Sequence, residues 1–142
     1  MSVLVRLARA KDAEIAFTID PGASDAGRRQ WLERVFAGEH GRMARLAFLD
    51  DRPAGLAVVG EFFGNPFLEL IVTAAGMRRR GVASALLDAI ERAHSEDKLF
   101  VSTNRSNEGM QAVLSGRGYL AAGMVDYLDR GDPELFFVRL AG

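Results

Sequence analysis

The sequence predicts a mixed α/β fold of the α+β kind, in one domain spanning residues 1–142. Strand-length apolar runs open the chain, two strong helical patterns interrupt them, and two further strand runs close it. That order suits a layered sheet with helices and not a repeated βαβ wrap. The length, 142 residues, is that of a single domain, which typically holds roughly 100 to 200 residues. No linker is long enough to divide it.

Val3, Leu4, Val5 and Leu7 predict a first strand, and Lys11-Asp12-Ala13-Glu14 opens a short helix or turn that Pro21-Gly22 ends. From Asp25 the spacing becomes helical. Trp31, Leu32, Val35 and Phe36 form a stripe, with Ser24 or Asp25 as cap and Gly38 as stop. Arg42 to Leu49 and Ala54 to Phe63 are apolar runs joined by Asp50-Asp51-Arg52-Pro53, a turn composition that predicts an antiparallel hairpin. Phe67 to Thr73 is the next strand, with the carboxylate of Glu69 inside it. Val82, Leu86 and Ile90, with Ala83 and Leu87 beside them, predict an amphipathic helix that frays near His94. Leu99 to Thr103 follows as a strand. Asn107 then caps a short helix whose Met110, Val113 and Leu114 share one face and which Gly116 and Gly118 end. Tyr119 to Leu128 and Leu135 to Leu140 are the last strands, separated by Asp129-Arg130-Gly131-Asp132-Pro133.

Composition removes several classes of function. Hydrophobic residues make up 49% of the chain, enough for a core without staples. With no cysteine there is no disulfide framework, no thiolate metal site and no covalent cysteine intermediate. Two histidines, His40 and His94, argue against a histidine-rich metal centre. The 18 Lys and Arg against 19 Asp and Glu give a net charge of -1, so no overall basic field draws in nucleic acid. Neither a signal-like start nor an apolar run of roughly 18 residues is present, and the expectation is a soluble, cytoplasmic protein with no membrane or nucleic-acid partner.

The sharpest local signal is Arg78-Arg79-Arg80-Gly81-Val82-Ala83-Ser84, between a strand and a helix. The first amides of a helix lack partners within it and lie at the positive end of its dipole, so they attract phosphate. Gly81 and Ala83 are small enough for a diphosphate to reach the main chain, and three arginines add charge beside it. Neither Gly-Lys-Ser/Thr nor Gly-x-Gly-x-x-Gly occurs, which removes the common triphosphate and dinucleotide turns. Taken alone, the same residues also read as a solvated helix start or a local nucleic-acid contact.

In order, a strand with Glu69, Arg78-x-x-Gly81-x-Ala83, an amphipathic helix, a strand, an Asn107 helix and Gly118-Tyr119 resemble the GNAT superfamily of acyl-CoA-dependent N-acetyltransferases. The resemblance covers Phe67 to about Tyr119 well and Val3 to Phe63 in order of elements. It implies a mostly antiparallel central sheet flanked by helices. It also implies coenzyme A as carrier of the acetyl group, its pyrophosphate on the backbone of Arg79, Arg80, Gly81, Val82, Ala83 and Ser84 beside Arg78. The pantetheine arm would pair with the main chain of Ile71, Val72 and Thr73 and run along Asn104, Asn107 and Met110. Asn107 as a helix cap and Met110 as core filler explain those two residues equally well without a cofactor.

An amine attacks an acyl group only when neutral, so a base or a proton-relaying water is useful. Glu69 stands where similar enzymes carry a strand carboxylate, with Glu61 in reserve. The tyrosine that usually protonates the departing thiolate falls at Leu114 here, which leaves Tyr119 as the candidate acid, with Tyr127 or Ser115 behind it. Without cysteine, direct transfer in a ternary complex is expected, a backbone N–H of Glu69 to Thr73 holding the developing oxyanion. The acceptor is a primary amine of a small molecule or peptide. Phe62, Phe63, Phe67 and Trp31 are candidates to wall its pocket, or else core. The acidic segment of Asp126, Asp129, Asp132 and Glu134 suits a cationic amine, or else a solvated face. A non-catalytic acyl-CoA-binding module is the alternative that the missing tyrosine raises. An exposed strand edge is compatible with a homodimer.

Overall fold

A computed structural model describes residues 2–142 of the protein. Among these residues the elements run β1 (Val3–Leu7), α1 (Ala13–Ile19), α2 (Ala26–Phe36), β2 (Met43–Leu49), β3 (Arg52–Phe62), β4 (Asn65–Thr73), α3 (Val82–Ala93), β5 (Leu99–Asn104), α4 (Glu108–Gly116), β6 (Leu120–Val125) and β7 (Glu134–Arg139). The seven strands make one mixed sheet in the order β1-β2-β3-β4-β5-β7-β6, flanked by the four helices. Two compact units divide the chain, one running to Gly60 and taking in Glu69–Ala93, the other made of Glu61–Leu68 and His94–Gly142.

In the first unit β1, β2 and β3 pair antiparallel. The hairpin turn is shorter than predicted: Asp50 and Asp51 alone take left-handed backbone, at φ 48° and 68°, as a two-residue mirror-image turn requires. Pro53 therefore lies inside β3. It cannot donate to the ladder, and the register slips between Ala47 and Phe48, where Pro53 faces Phe48, so a bulge absorbs it. Leu46, Leu56 and Val58 on one sheet face pack against Ile19 of α1 and Leu32 and Val35 of α2. Asp25, and not Ser24, caps α2, its carboxylate accepting from the Arg28 amide at 2.9 Å. Asp12, 3% exposed, ties β1 to the chain ahead of α1: it accepts from Arg6 Nη1 at 2.8 Å and from the Arg9 amide at 2.7 Å. Helix α3 packs on β1 and β2. Gly55 of β3 lets it come close, since a Cβ there would lie 2.6 Å from Val82 Cγ1 and 3.0 Å from Leu86 Cδ1.

The second unit begins at the end of β3, where Phe63 and Gly64 turn the chain with φ of 50° and 78° and Asn65 Nδ2 donates to the Phe62 and Phe63 carbonyls. β4 pairs in parallel with β5 at Phe67↔Phe100 and Leu68↔Val101, while β5/β7 and β6/β7 are antiparallel. Leu99, Val101, Leu114, Tyr119 and Phe137 are buried. Asn107 caps α4, its Oδ1 accepting from the Met110 amide at 3.1 Å. β6 stops at Val125, three residues short of the predicted end, as Tyr127 turns left-handed at φ 75°. All six residues of β6 are exposed.

Candidate active site

Glu69, halfway along β4, is held by side chains of its own unit. Its Oε2 accepts from Arg42 Nε at 2.7 Å and its Oε1 from Arg42 Nη2 at 3.4 Å. Both side chains keep some solvent contact, 20% for Glu69 and 25% for Arg42. Room for the carboxylate comes from Gly60 of β3, where a Cβ would overlap the Glu69 carboxylate oxygen. The Arg42 guanidinium lies 5.8 Å from the centre of the Trp31 ring, and Arg28 lies 5.9 Å from it. Arg28 Nε in turn stands 2.9 Å from Oδ2 of the buried Asp20. A carboxylate offers about four lone-pair positions, and Arg42 uses two, so Glu69 keeps capacity to accept a further hydrogen bond.

The arginine turn sits in the same unit. Left-handed backbone at Gly76, Arg79 and Gly81 brings the chain from β4 into α3. The Gly81 carbonyl accepts from the Ala85 amide at 3.0 Å, which makes Gly81 the cap residue of α3. Asp25 and Asn107 satisfy first-turn amides of α2 and α4 with their side chains. Glycine has no side chain with which to cap the first-turn amides of α3, the groups that a helix leaves without partners of its own. A Cβ at Gly81 would meet nothing within 4 Å, so the approach is open, and Arg78, Arg79 and Arg80 are all exposed around it. This donor set of amides and guanidiniums fits a diphosphate. Ile71, Val72 and Thr73 are half-buried at the end of β4, beyond the last parallel pair at Leu68.

Asn104 and the acidic segment, both in the second unit, bind each other. Asn104 Nδ2 donates to Asp129 Oδ2 at 2.8 Å and to the Asp132 carbonyl at 3.3 Å. Asp132 accepts from the Ser106 amide at 3.0 Å and from its hydroxyl at 2.6 Å. Asp129 and Asp132 are thus fasteners between the β6–β7 loop and the end of β5, a use that the charge pattern alone did not reveal. Among the described residues no group of three His, Asp or Glu side chains is gathered to hold a metal ion, and no helix is long and apolar enough to cross a membrane.

Over residues 8–119 the chain matches the acetyltransferase (GNAT) family. It belongs to the GNAT acetyltransferases. A GNAT family acetyltransferase from Bacillus cereus is 31% identical, with a TM-score of 0.82 over 99% of each chain. Arabidopsis thaliana NAA60, solved with a bisubstrate analogue, has a TM-score of 0.75 at 12% identity over 99% of this chain and 98% of its own. A Bacillus anthracis protein solved with acetyl coenzyme A reaches 0.63 at 15% identity over 70% of this chain and 62% of its own. These last two share the fold alone. No curated protein matches the sequence.

As a GNAT enzyme the protein is an acyltransferase. Tyr119, the candidate acid, is only 5% exposed, its amide bonded to the Leu114 carbonyl at 3.0 Å, and Leu114 itself is fully buried. Met110 is half-buried on α4. Of the aromatic residues considered for an acceptor wall, Phe62, Phe63 and Phe67 gather with Phe100 and Phe136 in the second unit, whereas Trp31 lies in the first between Arg28 and Arg42. Sequence reasoning missed Arg42 and Gly60. A lone arginine opening a strand and one glycine within another carry no local signal; only strand register brings them to Glu69.

Proposed function

We propose that the protein transfers the acetyl group of acetyl-CoA to a primary amine of a small molecule or peptide by direct attack in a ternary complex. The observation that carries this reading is the glycine-capped, open N-terminus of α3 beneath three exposed arginines, in a chain of this family. In this reading the amides from Arg79 to Ser84, with Arg78, hold the diphosphate, and the main chain of Ile71, Val72 and Thr73 takes the pantetheine arm as an added strand would. Asn107 and Met110 border that arm. Asn104 acts through the loop that it fastens. The coenzyme supplies an acetyl thioester.

Glu69 accepts the amine's proton, directly or through one water, as the new C–N bond forms and the C–S bond breaks. The Arg42 pair keeps the carboxylate oriented for that role. A thiol titrates near pH 8.5, so coenzyme A is a fair leaving group as thiolate, and Tyr119 is the candidate to protonate it. The same reading takes residues 1–142 as one catalytic domain acting in the cytoplasm. Release of free coenzyme A thiol over a panel of amines, with the amide product identified by mass, tests it. Turnover above the no-enzyme background is expected, and Glu69→Gln should lower kcat about a hundredfold or more. Tight acetyl-CoA binding with no release for any amine would instead indicate a non-catalytic acyl-CoA-binding module.

A further inference from the structure

Trp31, the single tryptophan of the chain, is half-buried on α2, and two guanidiniums approach its ring. Arg28 stands one turn earlier on the same face of α2, 5.9 Å from the ring centre, and Arg42 comes in ahead of β2 at 5.8 Å. Both distances fall within the roughly 6 Å over which an aromatic face attracts a cation. Each cation has a carboxylate of its own, so neither charge is left bare. Arg28 Nε lies 2.9 Å from Oδ2 of Asp20, which is 3% exposed and also accepts from the Gly22 amide at 2.9 Å. Arg42 Nε donates to Glu69 at 2.7 Å. Asp20, Arg28, Trp31, Arg42 and Glu69 therefore form one continuous row inside the first unit, from just past α1 to the middle of β4.

The two ends of the row are not equally firm. At the Asp20 end the carboxylate is buried, and the Arg28 amide is itself fixed by Asp25 at 2.9 Å. At the other end Glu69 and Arg42 are both partly exposed, and the second contact of the pair stretches to 3.4 Å. Water competes for such a pair, and a long arginine side chain gives up much rotamer freedom to hold one geometry. Arg42 also lies outside the β2 ladder, its amide reaching the Glu39 carbonyl at 3.4 Å behind the left-handed His40 and Gly41. A rigid aromatic face beside the guanidinium limits where that side chain can go.

Resting on the acetyltransferase reading above, we infer that Trp31 is a positioning residue: its ring, steadied by the Asp20–Arg28 pair, holds the Arg42 guanidinium in the orientation that aims the Glu69 carboxylate. Trp31 takes no part in the bond changes. Because it also packs against the core, stability and positioning are read separately.

Thiol release from acetyl-CoA, with an amine that the parent turns over, is compared in Trp31→Phe, Trp31→Leu, Arg42→Met and the double variant Trp31→Leu/Arg42→Met. Trp31→Leu should lower kcat about five- to tenfold at an unchanged KM for acetyl-CoA, and Trp31→Phe, which keeps an aromatic face, should recover most of that loss. On the Arg42→Met background Trp31→Leu should cost little more, since the ring then has no guanidinium to hold. Losses that multiply in the double variant, or a Phe variant as poor as the Leu variant, would overturn the inference. With one tryptophan in the chain, fluorescence reads this ring alone, with no substrate and with the ring intact. Glu69→Gln weakens the grip on Arg42, so acrylamide quenching of Trp31 should rise in Glu69→Gln and in Arg42→Met alike. Quenching equal to the parent's in both would also overturn the inference. Raised quenching with no thiol release from any amine would uphold the row and sink the transfer reading; turnover with unaltered quenching would do the reverse.

Discussion

Glu69 owes its orientation to two residues distant in sequence, Arg42, which holds it, and Gly60, which makes room for it. Because the group that a Cβ at Gly60 would strike is the end of a flexible side chain, Gly60→Ala should move Glu69 without unfolding the strand. The expected result is a kcat about tenfold lower, with a denaturation midpoint and an acetyl-CoA affinity close to the parent's. A large loss of stability with unchanged kcat would make Gly60 a packing residue only. Asp12 governs a different property. The Arg6 guanidinium, and then the Arg9 amide, lower its carboxyl from the ordinary 3.8 to about 2. A carboxyl lowered on folding stabilises the native state above its unfolded pKa, and that contribution fades as pH falls toward the folded value. Between about pH 5 and pH 2 the protein should lose on the order of 1–2 kcal/mol through this group. Asp12→Asn should flatten that part of the Tm-against-pH curve, and a curve of unchanged steepness would contradict the assignment.

At the scale of elements, α3 matters because its first turn holds the proposed diphosphate amides while its body lies on the sheet. Gly55 sets how closely it lies. In Gly55→Ala the new methyl would press on Val82 and Leu86, and the Val72 carbonyl stands 3.3 Å away on another side. A loss of roughly 1–3 kcal/mol is expected from such overpacking, read as a lower urea midpoint at constant m-value. An unchanged midpoint would mean that α3 lifts freely. Element order was legible in the sequence because each helix and strand carries its own periodicity, and the caps at Asp25 and Asn107 and the stop at Gly38 are local signals. The errors lie where local rules conflict. Pro53 reads as a turn residue yet enters β3 at a bulge, and the apolar residues through Leu128 read as strand although Tyr127 has already turned the chain.

On the scale of the whole molecule, the turn proposed to hold the cofactor could be picked out because strand, arginines, glycine and helix are consecutive residues. Sites assembled across strands could not. The Arg42–Glu69 pair, the fastening of Asn104 by Asp129 and the gathering of Phe62, Phe67, Phe100 and Phe136 depend on register and strand order, which hydrophobic periodicity leaves open. The central claim is that the turn into α3 holds acyl-CoA, and thermal unfolding of the parent and Gly81→Val with acetyl-CoA, ATP or NADH tests it most directly. At about 100 times Kd acetyl-CoA should add roughly 2.7 kcal/mol to the parent, a Tm rise of several degrees, with much less from ATP or NADH. In Gly81→Val that rise should largely disappear, whatever the variant's own Tm. An equal shift from all three ligands, or a full acetyl-CoA shift in Gly81→Val, would contradict the account.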